Sequence, residues 1–249
     1  MAIGGHGRPG VGPDLPFGTG GSTLPAPARY PDSGLAMLFY GGLTIRLLIE
    51  EDLDEVVTAL DCPDVARFLC YDEVTDVRWA VCRRWRKDLS GDAITLVIRR
   101  DGRIVGWTGL LTIDGLPGEL QTSTFLTPAV WGTGINVQAK HILWTITELL
   151  DRDRLMFSID SRNFRSQAAL WKLFPEATVV WLAAPSEPGV DVVLAATEGP
   201  RAPGVLAPGE RAALRELLTR HPGWRVWRTQ PPEPVTDEGR ELARSMAPA

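Results

Sequence analysis

Histidine and cysteine are scarce in this chain, three of each among 249 residues. Cys62, Cys70 and Cys82 are odd in number and lack close metal-ligand spacing, so reduced thiols are expected instead of a disulfide framework. His6 and His221 fall in tail segments, and His141 sits about two turns into a long helix, where a surface or supporting position is expected. No Ser-His-Asp or Cys-His context is present, and no histidine–carboxylate cluster points to a metal. Long hydrophobic runs are missing too. None approaches bilayer-spanning length, and the N-terminus has no basic-then-apolar leader. A cytoplasmic protein with no membrane partner is therefore expected. Positive charge is in deficit, 26 Lys and Arg against 31 Asp and Glu, which argues against a general nucleic-acid binder and slightly favours a cationic small partner.

What is present suits a soluble globular protein: 44% hydrophobic and 23% charged residues, with length enough for a sizeable core. Met1 to Gly34 is rich in Gly and Pro, has no apolar period and reads as a flexible arm. Leu43 to Leu48 is a first strand. Leu53, Val56, Val57 and Leu60 then mark one face of a helix whose start carries Glu50, Glu51 and Asp52, and Cys62-Pro63-Asp64 breaks it. A second helix is expected from Thr75 to about Lys87. Ala93 to Arg99 and Arg103 to Leu111 are strands joined by Asp101-Gly102, a hairpin signal. Leu120 to Leu126 is a strand closed by Pro128, and the helix to Leu150 has Ile135, Ala139, Ile142, Ile146 and Leu149 at helical spacing. A strand at Leu155 to Ile159, a helix from Ser166 to Phe174 and strands at Val179 to Ala183 and Asp191 to Ala196, around a Pro185-to-Gly189 loop, complete the series. This order implies an α/β (α+β) fold: a mixed, mostly antiparallel central sheet flanked by helices, with one parallel crossover. Beyond a Pro/Gly-rich linker from Glu198 to Gly209, Leu214, Leu217 and Leu218 line one face of an amphipathic helix. Trp224 to Trp227 reads as a short extended segment.

The organising stretch is Thr127-Pro128-Ala129-Val130-Trp131-Gly132-Thr133-Gly134-Ile135-Asn136. Two glycines one residue apart separate a strand from a long helix. Without a Cβ they let backbone amides approach a ligand, and first-turn amides have no helical partner, so a phosphate is the expected guest. The plainer alternative is a tight turn. Neither a Walker loop nor the three-glycine dinucleotide fingerprint is present.

These residues resemble a motif of the GNAT superfamily of acyl-CoA-dependent N-acyltransferases, in the branch of ribosomal-protein N-terminal acetyltransferases. There a Pro and a short aromatic-containing segment precede Gly-x-Gly-Ile/Val-Asn and a long helix, as in Trp131 to Asn136. A second motif of that branch, Asn-x-Arg-Ser before a short helix, matches Asn163-Phe164-Arg165-Ser166. The resemblance spans about Leu43 to Thr197. It divides the chain into an N-terminal arm (1–42), an acyltransferase-like domain (43–197) and a C-terminal extension with one amphipathic helix (198–249).

The resemblance implies acyl transfer, acetyl above all, from acetyl-CoA to a primary amine of a small molecule or a protein N-terminus, by direct attack and without a metal. The amides of Trp131, Gly132, Thr133, Gly134, Ile135 and Asn136 would hold the pyrophosphate. The backbone of Phe125, Leu126 and Thr127, with Asn163, would hold the pantetheine arm. Tyr71, Asp72 and Glu73 would orient the amine, the alternative being a loop whose acids serve the next helix. Ser166 would protonate the leaving thiolate, in place of the tyrosine that many relatives carry where Leu170 stands here; the alternative is a helix cap. For the base, relatives place a glutamate where Leu120 stands. Glu119 lies one residue earlier, which changes the strand face, so either a bulge near Pro117-Gly118 restores it or Glu73 acts through water. A non-catalytic acyl-CoA sensor or assembly subunit is the alternative function, and a homodimer that builds the acceptor site between subunits is a further possibility.

Overall fold

The computed structural model describes residues 36–69, 76–113, 116–160, 162–181, 191–201 and 204–229. The expected arm at Met1 to Gly34, the Tyr71-Asp72-Glu73 segment, the Pro185-to-Gly189 loop and the residues after Pro231 lie outside them. The strands are β1 (Leu38–Tyr40), β2 (Leu43–Leu47), β3 (Ala93–Arg100), β4 (Arg103–Ile113), β5 (Leu116–Leu126), β6 (Leu155–Asp160), β7 (Thr178–Trp181) and β8 (Asp191–Ala196). They form one sheet in the order β1-β2-β3-β4-β5-β6-β8-β7. Every pairing is antiparallel except β5 with β6. The helices are α1 (Leu53–Leu60), α2 (Pro63–Leu69), α3 (Val77–Ser90), α4 (Ile135–Leu149), α5 (Phe164–Leu173), α6 (Pro208–Thr219) and α7 (Pro222–Thr229).

Strand periodicity sorts the core into two layers. Ile94, Leu96 and Ile98 of β3 join a cluster with Ile142, Leu143 and Ile146 of α4, while Val97 joins Val56, Leu60, Val81, Trp85 and Trp107 on the other face. Alternate side chains of a strand point to opposite faces, so each layer takes its own set of helices. The β3–β4 hairpin turns where the sequence signals it, with Asp101 and Gly102 both at positive φ, 51° and 76°, as a twist-matched two-residue turn needs. Gly109 lets β4 close on β3, because a Cβ there would fall on the Ile94 carbonyl and within 2.8 Å of the Arg84 guanidinium.

The break at Cys62-Pro63-Asp64 separates α1, which ends at Leu60, from α2, which starts at Pro63; a missing N–H costs nothing in a first helical turn. Three expectations require correction. Trp224 and Trp227 lie on helix α7, not an extended segment, and their three-residue spacing puts both in the first core layer, each 3% exposed. The arm boundary at residue 42 cuts a hairpin, since β1 pairs with β2 from Leu38↔Ile45 to Tyr40↔Leu43. His221 is not in a loose tail. It is buried against Asp88 of α3, Nε2 to Oδ1 3.8 Å, and its Nδ1 accepts from the Gly223 amide. The C-terminal extension thus contributes Leu214, Leu217, Leu218 and both tryptophans to the main core. Among the described residues no helix is long and apolar enough to cross a membrane.

Candidate active site

Strand β5 has two unlike edges. Toward β4 its pairing runs nearly the whole strand, Leu120↔Thr112 to Leu126↔Gly106. Toward β6 it pairs only at Gln121↔Met156 and Thr122↔Phe157. Beyond those residues the parallel strands part, and a cavity of about 530 Å³ opens between their ends. Its walls include Thr122 to Phe125 of β5, Phe157 to Asp160 of β6, Trp79, Arg83, Arg84 and Lys87 of α3, Asn136 and Lys140 of α4, and Asn163, Ser166 and Leu170 around α5.

Just before α4, whose Asn136 lines the cavity, Gly132 and Gly134 have φ of 77° and 90°, and neither would bring a Cβ within 4 Å of any other atom. The glycines are there for backbone shape, and the space above them is open. The first α4 bond is from the Gln138 amide to the Gly134 carbonyl, 3.2 Å. The amides of Ile135, Asn136 and Val137 therefore point past the helix end without helical acceptors. Thr133 is less available: its amide and its hydroxyl both donate to the Val130 carbonyl, at 3.4 and 2.7 Å. The Trp131 indole donates to the Leu126 carbonyl, 2.9 Å, and the Arg165 guanidinium stacks 3.9 Å from the Trp131 ring centroid. Arg165 thus adds a cation beside the glycine turn, a role that the sequence motif containing it did not disclose.

The alternation of an antiparallel ladder decides which β5 backbone groups face the cleft. The Thr127 amide donates to the Val105 carbonyl, 2.9 Å, while its carbonyl accepts from the Val130 amide, 3.1 Å. The Thr127 amide and, two residues back, the backbone groups of Phe125 are thus spent on β4, and the Thr127 carbonyl on the turn. Thr124 and Leu126 turn theirs to the cleft, where the indole already occupies the Leu126 carbonyl. Of Phe125, Leu126 and Thr127, only Leu126 keeps an amide toward the cavity, and Thr124 joins it.

Asn163 caps α5, its Oδ1 accepting from the Ser166 amide at 3.1 Å. Ser166 is consequently not the cap. It is half-buried, lines the cavity, and its hydroxyl makes no hydrogen bond among the described residues. Leu170, 3% exposed, supplies apolar wall where a tyrosine would bring a hydroxyl.

Glu119 is a correction. The Arg154 guanidinium grips its carboxylate, Nε lying 2.9 Å from both oxygens and Nη2 closer still to Oε1. It is 5% exposed and absent from the cavity wall. The register irregularity falls at Thr112/Ile113, opposite the strand start, and does not return the carboxylate to the cleft. His141 is buried, not superficial, and lies under Gly204 instead of in the cavity.

A titratable group that the sequence motifs do not single out occupies the wall instead. Lys140 follows Asn136 by four residues, so it shares the cleft-facing stripe of α4. Its Nζ donates to Thr124 Oγ1 at 3.0 Å and lies 5.3 Å from the Phe157 ring centroid. Thr124 Oγ1 in turn lies 2.8 Å from Thr108 Oγ1. Burial without a carboxylate partner pushes the ammonium down to about 7, because desolvation penalises the charged form. Asp160, the carboxylate in the wall, is engaged by Arg162, whose side chain holds its pKa below the ordinary value. Among the described residues no cluster of His, Cys, Asp and Glu could hold a metal.

Residues 42–173, more than half of the chain, match the acetyltransferase (GNAT) domain family model. Among solved structures, the acetyltransferase from Agrobacterium tumefaciens str. C58 is 20% identical, with 68% of this chain and 98% of that one covered and a TM-score of 0.51. A T. thermophilus protein assigned as a candidate acetyltransferase is 23% identical, with 75% and 98% covered and a TM-score of 0.53. RimL, the ribosomal L7/L12 alpha-N-protein acetyltransferase, solved with coenzyme A, is 16% identical, with 65% and 97% covered and a TM-score of 0.50. No curated protein matches the chain. At these identities the structures carry the fold, and the family model carries membership. This chain, whose β5 parts from its parallel neighbour near a glycine turn and a helix start, therefore belongs to the GNAT acetyltransferase family.

Proposed function

We propose that the protein moves an acetyl group from acetyl-CoA to a primary amine by direct attack in a ternary complex. One observation carries the reading: unspent backbone amides at a glycine turn lead along an unpaired strand edge into a cavity with room for a thiol arm. The first-turn amides of α4, with Arg165, suit a pyrophosphate. The cleft-facing groups of Thr124 and Leu126 suit the amide groups of a pantetheine chain, which would add to β5 as a strand would. The Leu126 amide is assigned to the thioester oxygen, where it would meet the charge that develops as the amine attacks.

The proton economy needs one acceptor and one donor. The incoming ammonium must lose a proton before its nitrogen bonds to the carbonyl carbon. Lys140 suits that task, its pKa lowered to about 7 so that a large fraction is neutral near that pH, and it is set in the wall. When the carbon–sulfur bond breaks, the thiolate takes a proton from the Ser166 hydroxyl, which regains one from the nitrogen left cationic by its new bond to carbon. Glu119 has a structural role with Arg154. The acceptor is a small-molecule amine or a protein N-terminus; RimL, a fold relative, is named for the latter substrate.

The second reading, a non-catalytic acyl-CoA sensor or assembly subunit, is favoured by the withdrawal of Glu119 from the cavity. Thiol release from acetyl-CoA across a mixed panel of amines separates the two. Turnover supports the enzyme. Tight acetyl-CoA binding with no thiol release from any amine assigns the sensor, and failure to bind acetyl-CoA removes both.

A further inference from the structure

The α3 wall of the cavity carries charge for which the acyl-transfer reading has no use. Trp79, Arg83 and Lys87 line it at four-residue intervals, so they form one stripe of the helix, about 12 Å long at 1.5 Å per residue. Arg83 stacks its guanidinium 5.4 Å from the Trp79 ring centroid, which limits where the cation can sit. Among the described residues no carboxylate pairs with Arg83 or Lys87, whereas Arg78, one turn earlier on the same helix, is paired with Asp54 at 2.8 Å. Arg84, beside them, is buried and spends its donors on neutral acceptors: Thr95 Oγ1 at 2.6 Å and the carbonyls of Ile94 and Leu110 at 3.2 and 2.9 Å. The carboxylate among the described wall residues, Asp160, is taken by Arg162 at 2.6 Å.

We infer that the acceptor carries an anionic group, a carboxylate or phosphate, close to the amine that is acylated, and that Arg83 and Lys87 receive it. The inference rests on the acyl-transfer reading and supplies its substrate class. An unpaired guanidinium and ammonium in a concave wall raise the local concentration of anions and bind them by charge-assisted hydrogen bonds. The chain's net charge of −5 taken alone favours a cationic amine, but charges beyond about 8 Å are screened at physiological salt. The wall decides. Its stripe accommodates either a small amino acid-like molecule or the first residues of an acidic peptide.

The test measures kcat/KM for the full chain, by thiol release at saturating acetyl-CoA, on matched acceptors: glycine against glycinamide, phosphoethanolamine against ethanolamine, and an acidic peptide with a free N-terminus against its neutral counterpart of equal length. The anionic member of at least one pair should be favoured at least about tenfold, the effect of one charge-assisted contact. Arg83→Glu combined with Lys87→Glu should abolish or reverse that preference while acetyl-CoA affinity is retained. Preference within the peptide pair alone identifies a protein N-terminus, and preference among the small molecules alone a metabolite; both uphold the inference. Equal rates within every pair, or a preference that survives the double variant, overturn it and leave the acyl-transfer reading standing. Acetyl-CoA binding with no turnover of any amine overturns the two together.

Discussion

The two edges of β5 show what separates scaffold from site in this molecule. On the β4 side the ladder is continuous and Gly109 is present because backbone and guanidinium crowd the place of its Cβ. On the β6 side two register pairs hold the strands and then pairing stops, while Gly132 and Gly134 beyond the strand end face open space. The same residue type therefore serves opposite ends: close packing at one edge and access at the other. An interior strand edge that lacks its neighbour leaves amides and carbonyls unpaired at the wall of a cavity, which is costly unless water or a ligand satisfies them. In the proposed function, that unspent edge is the surface that receives acetyl-CoA.

The comparison breaks most severely at the closed edge. Gly109→Val should cost about 3 kcal/mol or more and yield little folded protein; an unchanged thermal midpoint would show that the seam is looser than its geometry. At the open edge, Gly134→Trp should leave a folded protein, at a cost of about 1–2 kcal/mol for an L-residue at positive φ. It should weaken acetyl-CoA binding by about 100-fold or more, ~2.7 kcal/mol, in a calorimetric titration. Undiminished affinity would move the binding site elsewhere.

Lys140→Met sharpens the contrast within the cleft. Turnover should fall by about 10²-fold, and the rise of kcat/KM with pH through about 7, the pKa to which burial depresses the ammonium, should disappear. Stability carries a sign of its own. The folded pKa lies below the unfolded value of about 10.4, so between about 7 and 10.4 the unfolded chain holds a proton that the folded chain does not, and stability climbs with pH across that window. The Met variant should lose this climb and be more stable than the parent at neutral pH. A full-rate variant with the parental pH profile would remove Lys140 from proton transfer. The smallest effect is expected of Ser166→Ala, about tenfold in turnover, at or below the low end for general acids because water can substitute, with acetyl-CoA affinity unchanged.

The periodic elements are readable in advance because burial imposes period: α4 from its apolar stripe, β3 and β4 from their run of branched residues around Asp101-Gly102. The glycine turn is readable for the same kind of local reason, since only glycine fits its backbone angles. Lys140 is within reach of the same logic, a lysine on the inward stripe four residues after Asn136, but a stripe does not say whether its polar member meets solvent, carboxylate or cavity. Glu119 fails for the converse reason. Its partner, Arg154, is 35 residues away, and no local pattern connects them. Helix α7 escapes a sequence reading because its eight residues hold too few apolar positions to distinguish a period of two from one of 3.6.

Sequence alone determined the order of strands and helices from β2 to α6 apart from α2, the positive-φ turn before α4 and the membership that its two motifs announce, because each depends on interactions among near neighbours. Tertiary structure alone decided where β5 loses its neighbour, which carboxylates are neutralised and which cations are left facing the cavity. Those outcomes depend on groups brought together from distant parts of the chain, and Coulombic and hydrogen-bonding partners are chosen by distance in space.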